Sequence, residues 1–224
     1  MPIRIALSGK AGSGKSLTAD YLVRKHGFKK LTFAEPIRQI LRLLFGIPSK
    51  WFTDPVLKES IYEPLGVSTR QLMQKVGTEL FRCELHKQLP HLKLPSGSNV
   101  WINHIVEQIK IFQDENIVVD DLRFDDEYHS LKDQGFVAFR IRKPGEEKKS
   151  DLSDHASEAG CKYDRLIENN GTIDELYRAL DLLIAVGKND PTFEPLKLEI
   201  RSKLPTSPAM KASLMRLGSS VIDL

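Results

Sequence analysis

The sequence predicts an α/β protein in which helices cover both faces of a central parallel sheet. Short apolar runs alternate along the chain with segments of helical periodicity, an order typical of parallel sheets. The first apolar run, residues 3–7, leads directly into a glycine-rich turn and then a helix. Hydrophobic residues make up 41% of the 224 residues, which is enough for a sizeable core.

The predicted elements follow one another with short connections. Five apolar runs are predicted to be strands: 3–7, 28–33, 117–119, 136–141 and 166–167. Five segments are predicted to be helices: from the glycine-rich turn to about 27, about 36–46, from 68 onwards, about 102–112, and about 172–184. Prolines and scattered charges predict that residues 49–67 are irregular.

Bulk composition excludes several classes of protein. The 33 basic and 30 acidic residues leave a formal charge of +3, too small for a duplex-DNA binder, so we expect no nucleic-acid partner. No apolar run is long enough to cross a bilayer, and residues 1–7 leave no room for a signal peptide. Two cysteines fit a reducing compartment better than a disulfide framework. We therefore expect a soluble, cytoplasmic protein with no membrane association.

Residues 9–16, Gly-Lys-Ala-Gly-Ser-Gly-Lys-Ser, match the phosphate-binding loop G-x-x-x-x-G-K-[ST]. Its glycines let backbone N–H groups of Ala11, Gly12, Ser13 and Gly14 point at phosphate oxygens. Lys15 is expected to reach the β- and γ-phosphates, and the Ser16 hydroxyl to complete a Mg²⁺ shell. A chance glycine-rich turn is the alternative, but the position between a buried strand and a helix favours the loop. We expect ATP because no N-K-x-D element for guanine is present.

A polar stripe marks the helix that opens at residue 68. With about 40° of rotation for each fourth residue, Arg70, Gln74, Thr78 and Arg82 form one line. Five apolar residues are predicted to face the core on the other side: Leu72, Met73, Val76, Leu80 and Cys83. The stripe fits a phosphate with its sugar or base, and it equally fits a solvated face. Gly77 indicates close approach of a neighbouring group.

A second motif follows the predicted strand 117–119. Asp121 and Arg123 lie just past this strand, at the sheet edge where ligands collect. Asp121 is a candidate for Mg²⁺, directly or through water, and Arg123 for a phosphate. The alternative is that an aspartate caps the next helix while Arg123 pairs with Asp126 or Glu127.

In this order the motifs resemble the bacteriophage-type deoxynucleoside monophosphate kinases. The resemblance rests on the phosphate-binding loop and on five later blocks: 33–38, 69–79 with Arg82, 121–124, 154–158 and 167–172. It extends from Met1 to about Val186. The proline-punctuated residues 187–224 have no counterpart and form a C-terminal extension of unknown role.

The resemblance implies a three-layer P-loop kinase fold with a lid. Residues 1–186 would form the kinase domain, with an acceptor-binding region at about 34–104 and a lid at about 143–160. Asn169 would lie in the loop that borders adenine. Seven residues would bind the acceptor nucleotide: Lys10, Arg38, Arg70, Gln74, Arg82, Trp101 and Arg123. Trp101 is equally well explained as a core residue, and Arg38 stands where the family has lysine, which preserves charge and changes geometry.

The implied reaction transfers the γ-phosphate of ATP to a deoxynucleoside monophosphate, with Mg²⁺ as cofactor and a homodimer as an expected assembly. Five residues would act in catalysis: Lys15, Arg70, Asp121, Arg123 and Arg142. An acceptor phosphate is already anionic, so no general base is required. One alternative is a kinase of a hydroxyl acceptor such as dephospho-coenzyme A, with Asp121 as the base. The other is a non-catalytic ATP-dependent switch.

Overall fold

The computed structural model of this chain describes residues 2–143 and 161–189, without the side chains of 186–189. Nearly all of the expected lid and C-terminal extension, residues 144–160 and from 190, lies outside the described residues. The chain divides into two compact units. One contains Met1–Leu31 and Ile109–Leu224, and the other contains Thr32–Gln108.

Strands and α-helices alternate through the described residues. In chain order the strands are β1 Arg4–Ser8, β2 Lys29–Leu31, β3 Ile61–Tyr62, β4 Val67–Ser68, β5 Ile117–Val119, β6 Val137–Arg142 and β7 Arg165–Glu168. The α-helices are α1 Lys15–His26, α2 Glu35–Phe45, α3 Lys50–Thr53, α4 Pro55–Glu59, α5 Thr69–Gln74, α6 Leu85–Gln88, α7 Val100–Ile111, α8 Asp125–Asp133 and α9 Ile173–Asn189. A π-helical segment, Lys75–Glu84, joins α5 to α6.

The first unit is built on a five-stranded sheet in the order β2-β5-β1-β6-β7, and every pairing is parallel. Ile5 and Leu7 of β1 join one buried cluster with apolar residues of α1 and α9. Side chains alternate along a strand, so Ala6 faces the other side, where α8 contacts β6. The predicted fold class, a parallel sheet between layers of helix, is confirmed.

The helix ends in the first unit follow local signals in the sequence. Helix α1 begins directly after Gly14 and ends at Gly27, whose φ of 68° supplies the left-handed cap. Helix α9 begins after Thr172, whose hydroxyl accepts a hydrogen bond from the N–H of Glu175. Both ends were predicted from the sequence.

The second unit contains more regular structure than predicted. Residues 49–67 hold α3, α4 and the hairpin β3–β4, so the irregular assignment was wrong. Asp54 caps α4 by accepting the N–H groups of Val56 and Leu57, and Pro55 occupies the first turn. Proline at that position starts a helix instead of breaking one. Helix α5 opens at the predicted capping box of Ser68 and Gln71.

The predicted core face of the middle helix was wrong in its second half. Leu80 is 53% exposed and Cys83 is exposed, and both lie in the π-helical segment. Hydrogen bonds across five residues turn each residue through a smaller angle than in an α-helix. The four-residue spacing that defined the stripe therefore does not hold beyond Gln74.

Among the residues that the structure describes, no helix combines the length and the apolar character that crossing a bilayer requires.

Candidate active site

The loop between β1 and α1 owes its shape to three glycines. Gly9, Gly12 and Gly14 have φ of 139°, 75° and 111°, values that disfavour any residue with a Cβ. At Gly9 the space is also closed, because a Cβ would lie 2.3 Å from the carbonyl oxygen of Ile141. The sequence motif therefore forms the compact turn expected of it, at the carboxyl end of a central strand.

Lys15 is held against this loop. Its ammonium Nζ donates to the carbonyl oxygens of Gly9 at 2.6 Å and of Lys10 at 2.7 Å. The positive charge of Lys15 therefore lies beside the first turn of α1. The N-terminal end of the helix dipole is also positive, so the two favourable potentials for an anion add together. Anions are favoured at such a point.

Two serines of the loop differ in exposure. Ser16, in the first turn of α1, is exposed and can meet a ligand. Ser13 is fully buried, and its hydroxyl has no hydrogen-bond partner among the described residues. Its carbonyl accepts a hydrogen bond from the side-chain amide of Asn169 at 2.9 Å.

Arg142 occupies the last position of β6, at the carboxyl edge of the sheet. Its guanidinium forms an ion pair with Glu168, its register neighbour on β7. The carbonyl of Arg142 accepts the backbone N–H of Asn169 at 2.8 Å. Arg142 and Asn169 therefore lie close together, next to the phosphate-binding loop.

The acidic motif after β5 begins with a paired residue. Asp120 accepts a hydrogen bond from Lys30 Nζ at 2.8 Å, and Lys30 also contacts Asp20 at 3.0 Å. Burial opposes the charge of Lys30, but the hydrogen bonds to Asp120 and Asp20 outweigh it and raise its pKa. Asp120 thus forms an ion pair with Lys30. Asp121 is the next carboxylate at the carboxyl edge of the sheet.

Two acidic side chains cap the start of α8. Buried Glu127 accepts the backbone N–H groups of Arg123 at 2.9 Å and Phe124 at 3.2 Å, and Asp126 Oδ1 accepts the N–H of Glu127 at 2.9 Å. This capping fixes the backbone that carries Arg123.

The second unit carries most of the predicted acceptor residues. Arg70, in the first turn of α5, forms an ion pair with Glu59. Arg38 of α2 contacts Glu35 at 3.4 Å, and its buried Nε has no hydrogen-bond partner among the described residues. Gln74 and Arg82 are half-buried on the same continuous helical segment as Arg70.

The structure favours the core explanation for Trp101. Its ring is only 8% exposed, packs edge-on against Phe81 at 5.4 Å between centroids, and donates Nε1–H to the carbonyl of Gly77 at 2.9 Å. A Cβ on Gly77 would make an ordinary contact with Ile37 at 3.7 Å. A side chain would therefore fit at Gly77, so lack of space does not explain the glycine. The neighbouring group that approaches Gly77 closely is the Trp101 indole, at the Gly77 carbonyl.

The predicted site residues fall into two groups. The carboxyl edge of the sheet and its loops, in the first unit, carry Lys10, Ala11, Gly12, Ser13, Gly14, Lys15, Ser16, Asp121, Arg123, Arg142 and Asn169. The second unit carries Arg38, Arg70, Gln74, Arg82 and Trp101. Sequence reasoning named Glu127 as a partner of Arg123 but missed Glu59 and Glu168, which pair with Arg70 and Arg142. These two ion pairs join residues 11 and 26 positions apart, so no local pattern marks them.

The sequence profile of the family described as "Deoxynucleotide monophosphate kinase" matches residues 52–180, more than half of the chain. The chain belongs to this family. The matched range includes α5, the acidic motif and Asn169, and it begins after the phosphate-binding loop. The loop motif is thus an indication of phosphate binding that is independent of the family match.

Comparison with individual proteins gives a relative from Acanthamoeba polyphaga mimivirus, provisionally named a deoxynucleotide monophosphate kinase. It is 28% identical over 185 residues, which cover 78% of this chain and 92% of the relative. Solved structures with some likeness include dephospho-CoA kinase from Campylobacter jejuni, at 16% identity and a TM-score of 0.44, covering 84% of this chain and 99% of that one. Another is a sugar kinase from Janibacter sp. HTCC2649, at 14% identity and a TM-score of 0.40, covering 82% and 95%. With TM-scores below 0.5, these two likenesses do not bear on the substrate.

Proposed function

We propose that this kinase transfers the γ-phosphate of ATP to a deoxynucleoside 5′-monophosphate, giving the diphosphate and ADP. The observation that carries the proposal is the phosphate-binding loop between β1 and α1, in a chain of the deoxynucleotide monophosphate kinase family. Phosphoryl transfer depends on positioning and charge neutralisation more than on covalent chemistry. In this proposal the loop would bind the polyphosphate of the donor, and arginines would bind the acceptor phosphate.

On the donor side, backbone N–H groups of residues 11–14 would bind the β- and γ-phosphates. Lys15 would neutralise charge on the transferred phosphate. Its ammonium lies at the loop, within 2.7 Å of two loop carbonyl oxygens. Asn169 would border the adenine, as the family resemblance implies. ATP as donor is part of this proposal.

Mg²⁺ would be held by the Ser16 hydroxyl and by Asp121, directly or through water. The donor set fits this ion, which keeps several waters and takes few protein ligands beside substrate phosphates. Within residues 2–143 and 161–189, no group of three or more acidic, histidine or cysteine side chains forms a metal cage. When bound, Mg²⁺ neutralises charge on the phosphate oxygens.

On the acceptor side, the family resemblance assigns Arg70, Arg82 and Arg123 to the monophosphate, together with Lys10, Arg38 and Gln74. Arg142 would stabilise the charge of the transferred group. Each arginine can give two parallel hydrogen bonds to a phosphate. The acidic partners Glu59 and Glu168 would hold Arg70 and Arg142 in place before substrate binds. Trp101, included among the acceptor residues by the resemblance, would act through the packing of this unit.

The domain assignment belongs to the same proposal. Residues 1–186 would form the kinase, with the acceptor region at about 34–104 and a lid at about 143–160 that excludes water during transfer.

The test is ADP release from ATP and Mg²⁺ with each of the four deoxynucleoside monophosphates, the ribonucleotides and dephospho-coenzyme A. Stimulation by one or more deoxynucleotides is expected, and it would also define the base preference. Stimulation by dephospho-coenzyme A alone would move the acceptor to a hydroxyl and make Asp121 the base to examine. ATP binding with no stimulated turnover would favour the switch.

A further inference from the structure

Asn169 is bound on two sides. Its side-chain amide donates to the carbonyl of Ser13 in the phosphate-binding loop at 2.9 Å, and its backbone N–H donates to the carbonyl of Arg142 at 2.8 Å. One residue therefore joins the loop to the end of β6. The contact to Ser13 links residues 156 positions apart, so it is a tertiary tie and not part of a local turn.

The loop is shaped to receive this amide. A Cβ on Gly14 would lie 2.9 Å from Asn169 Nδ2, so the amide packs directly against the glycine backbone. Ser13 is fully buried, and an amide is the kind of group that can satisfy its carbonyl there. Fixing that carbonyl also fixes the orientation of the peptide that joins Ser13 to Gly14, and therefore of an N–H in the anion-binding turn.

We propose that Asn169 is a positioning residue for the phosphate-binding loop, which holds the Ser13–Gly14 peptide ready for the polyphosphate. The proposal gives Asn169 a role beyond the adenine border that the family resemblance implies. It rests on the phosphate-binding part of the proposed function and not on the identity of the acceptor.

Two ligands separate the two roles. Inorganic tripolyphosphate has the charged part of ATP without the base, so it reports on the loop alone. We expect Asn169→Ala to lower the affinities for Mg²⁺-tripolyphosphate and for Mg²⁺-ATP by the same factor, about five- to tenfold. A loss of this size is typical of one lost hydrogen bond. Titration calorimetry would measure both affinities. For the ligand that binds more weakly, a competition titration against ATP would be used. Asn169→Leu, which keeps the branched shape without a donor, should behave in the same way.

Asn116 supplies the matched control. Its side-chain oxygen accepts the N–H of Ile3 at 2.8 Å, immediately before the opposite end of β1. Asn116→Ala therefore removes a side-chain hydrogen bond to the backbone just before β1, away from the loop that follows this strand. Thermal unfolding should show that the two alanine variants lower Tm by similar amounts, about 2–4 °C each. Only Asn169→Ala should lower the affinity for tripolyphosphate.

Several outcomes would overturn the proposal. If Asn169→Ala weakened the binding of ATP and left the binding of tripolyphosphate unchanged, Asn169 would act at the base. Unchanged affinity for both ligands would make the tie structural only, and equal weakening by Asn116→Ala would make the effect one of general stability. A wild-type chain that binds neither ligand would contradict the loop assignment itself. Binding of both without transfer to any deoxynucleotide would refute the proposed function and leave this proposal standing.

Discussion

The phosphate-binding loop in the first unit and the helical segment from Thr69 in the second unit would bind their proposed ligands through different kinds of chemical group. In the loop, the groups are backbone N–H donors whose directions follow from glycine conformations within residues 9–14. On the helical segment they are side chains, and Arg70 is paired with Glu59. A site built from backbone is defined by a short stretch of sequence. A site built from side chains depends on helix geometry and on partners elsewhere in the chain.

Removing the lysine of the loop tests the first region most strongly. Lys15→Ala should lower kcat about 10²–10³-fold, because it removes a cation aimed at the charge of the transferred phosphate. Steady-state ADP release would measure this. Lys25→Ala, near the other end of the same helix and exposed, is the matched control and should retain nearly full activity. Near-normal turnover in Lys15→Ala would remove the loop from the catalytic account.

The backbone dependence of the loop is tested by alanine at two glycines. Gly9→Ala should lower the free energy of unfolding by about 3 kcal/mol or prevent folding, because φ is unsuitable and the Cβ meets the Ile141 carbonyl at 2.3 Å. At Gly12 nothing lies within 4 Å of a Cβ, so Gly12→Ala should cost only the strain of its φ, about 1 kcal/mol. Urea denaturation compares the two. Equal losses would show that the closed space at Gly9 does not matter.

The helical segment from Thr69 is tested by removing Arg70. Arg70→Ala should raise the KM for the deoxynucleotide about tenfold or more, through loss of charge-assisted hydrogen bonds, and leave the KM for ATP unchanged. Lys75→Ala is the control, because the Lys75 side chain is 71% exposed and pairs along the helix surface with Glu79. An unchanged acceptor KM and kcat in Arg70→Ala would show that the polar stripe is a solvated face.

The smallest expected effect concerns the helices α1 and α9 behind the loop. Partial burial opposes the charge of Asp181, but hydrogen bonds from Lys25, Tyr21 and His26 outweigh it and lower its pKa. A lowered carboxylate pKa stabilises the fold above the unfolded value of about 4, and this contribution is lost as the pH falls through the folded pKa. Asp181→Asn should therefore lose stability at neutral pH and little once the pH is below the folded pKa of Asp181, with a difference under about 1 kcal/mol. Urea denaturation at several pH values would detect it, and a pH-independent difference would contradict it.

Local sequence was sufficient for the parts of the fold that depend on local physics. The order of strands and helices, the caps at Gly27 and Ser68, and the loop conformation all follow from residue types a few positions apart. The hairpin and short helices within residues 49–67 were missed, because proline was taken as a breaker where it begins a helix.

The middle helix and the residues around the site show what sequence patterns do not carry. The four-residue stripe assumed α-helical rotation, which changes where the segment becomes π-helical after Gln74. Ion pairs such as Lys30 with Asp120 join positions far apart in the chain, and only the sheet brings them together. Roles that depend on such contacts, including the tie from Asn169 to Ser13, therefore become visible only in three dimensions.

The central claim is tested most directly with ATP labelled in its γ-phosphate. The wild-type chain, incubated with labelled ATP, Mg²⁺ and each deoxynucleoside monophosphate, should produce labelled deoxynucleoside diphosphate, and Lys15→Ala should produce almost none. Label released only as inorganic phosphate, at a rate that no deoxynucleotide changes, would contradict the account.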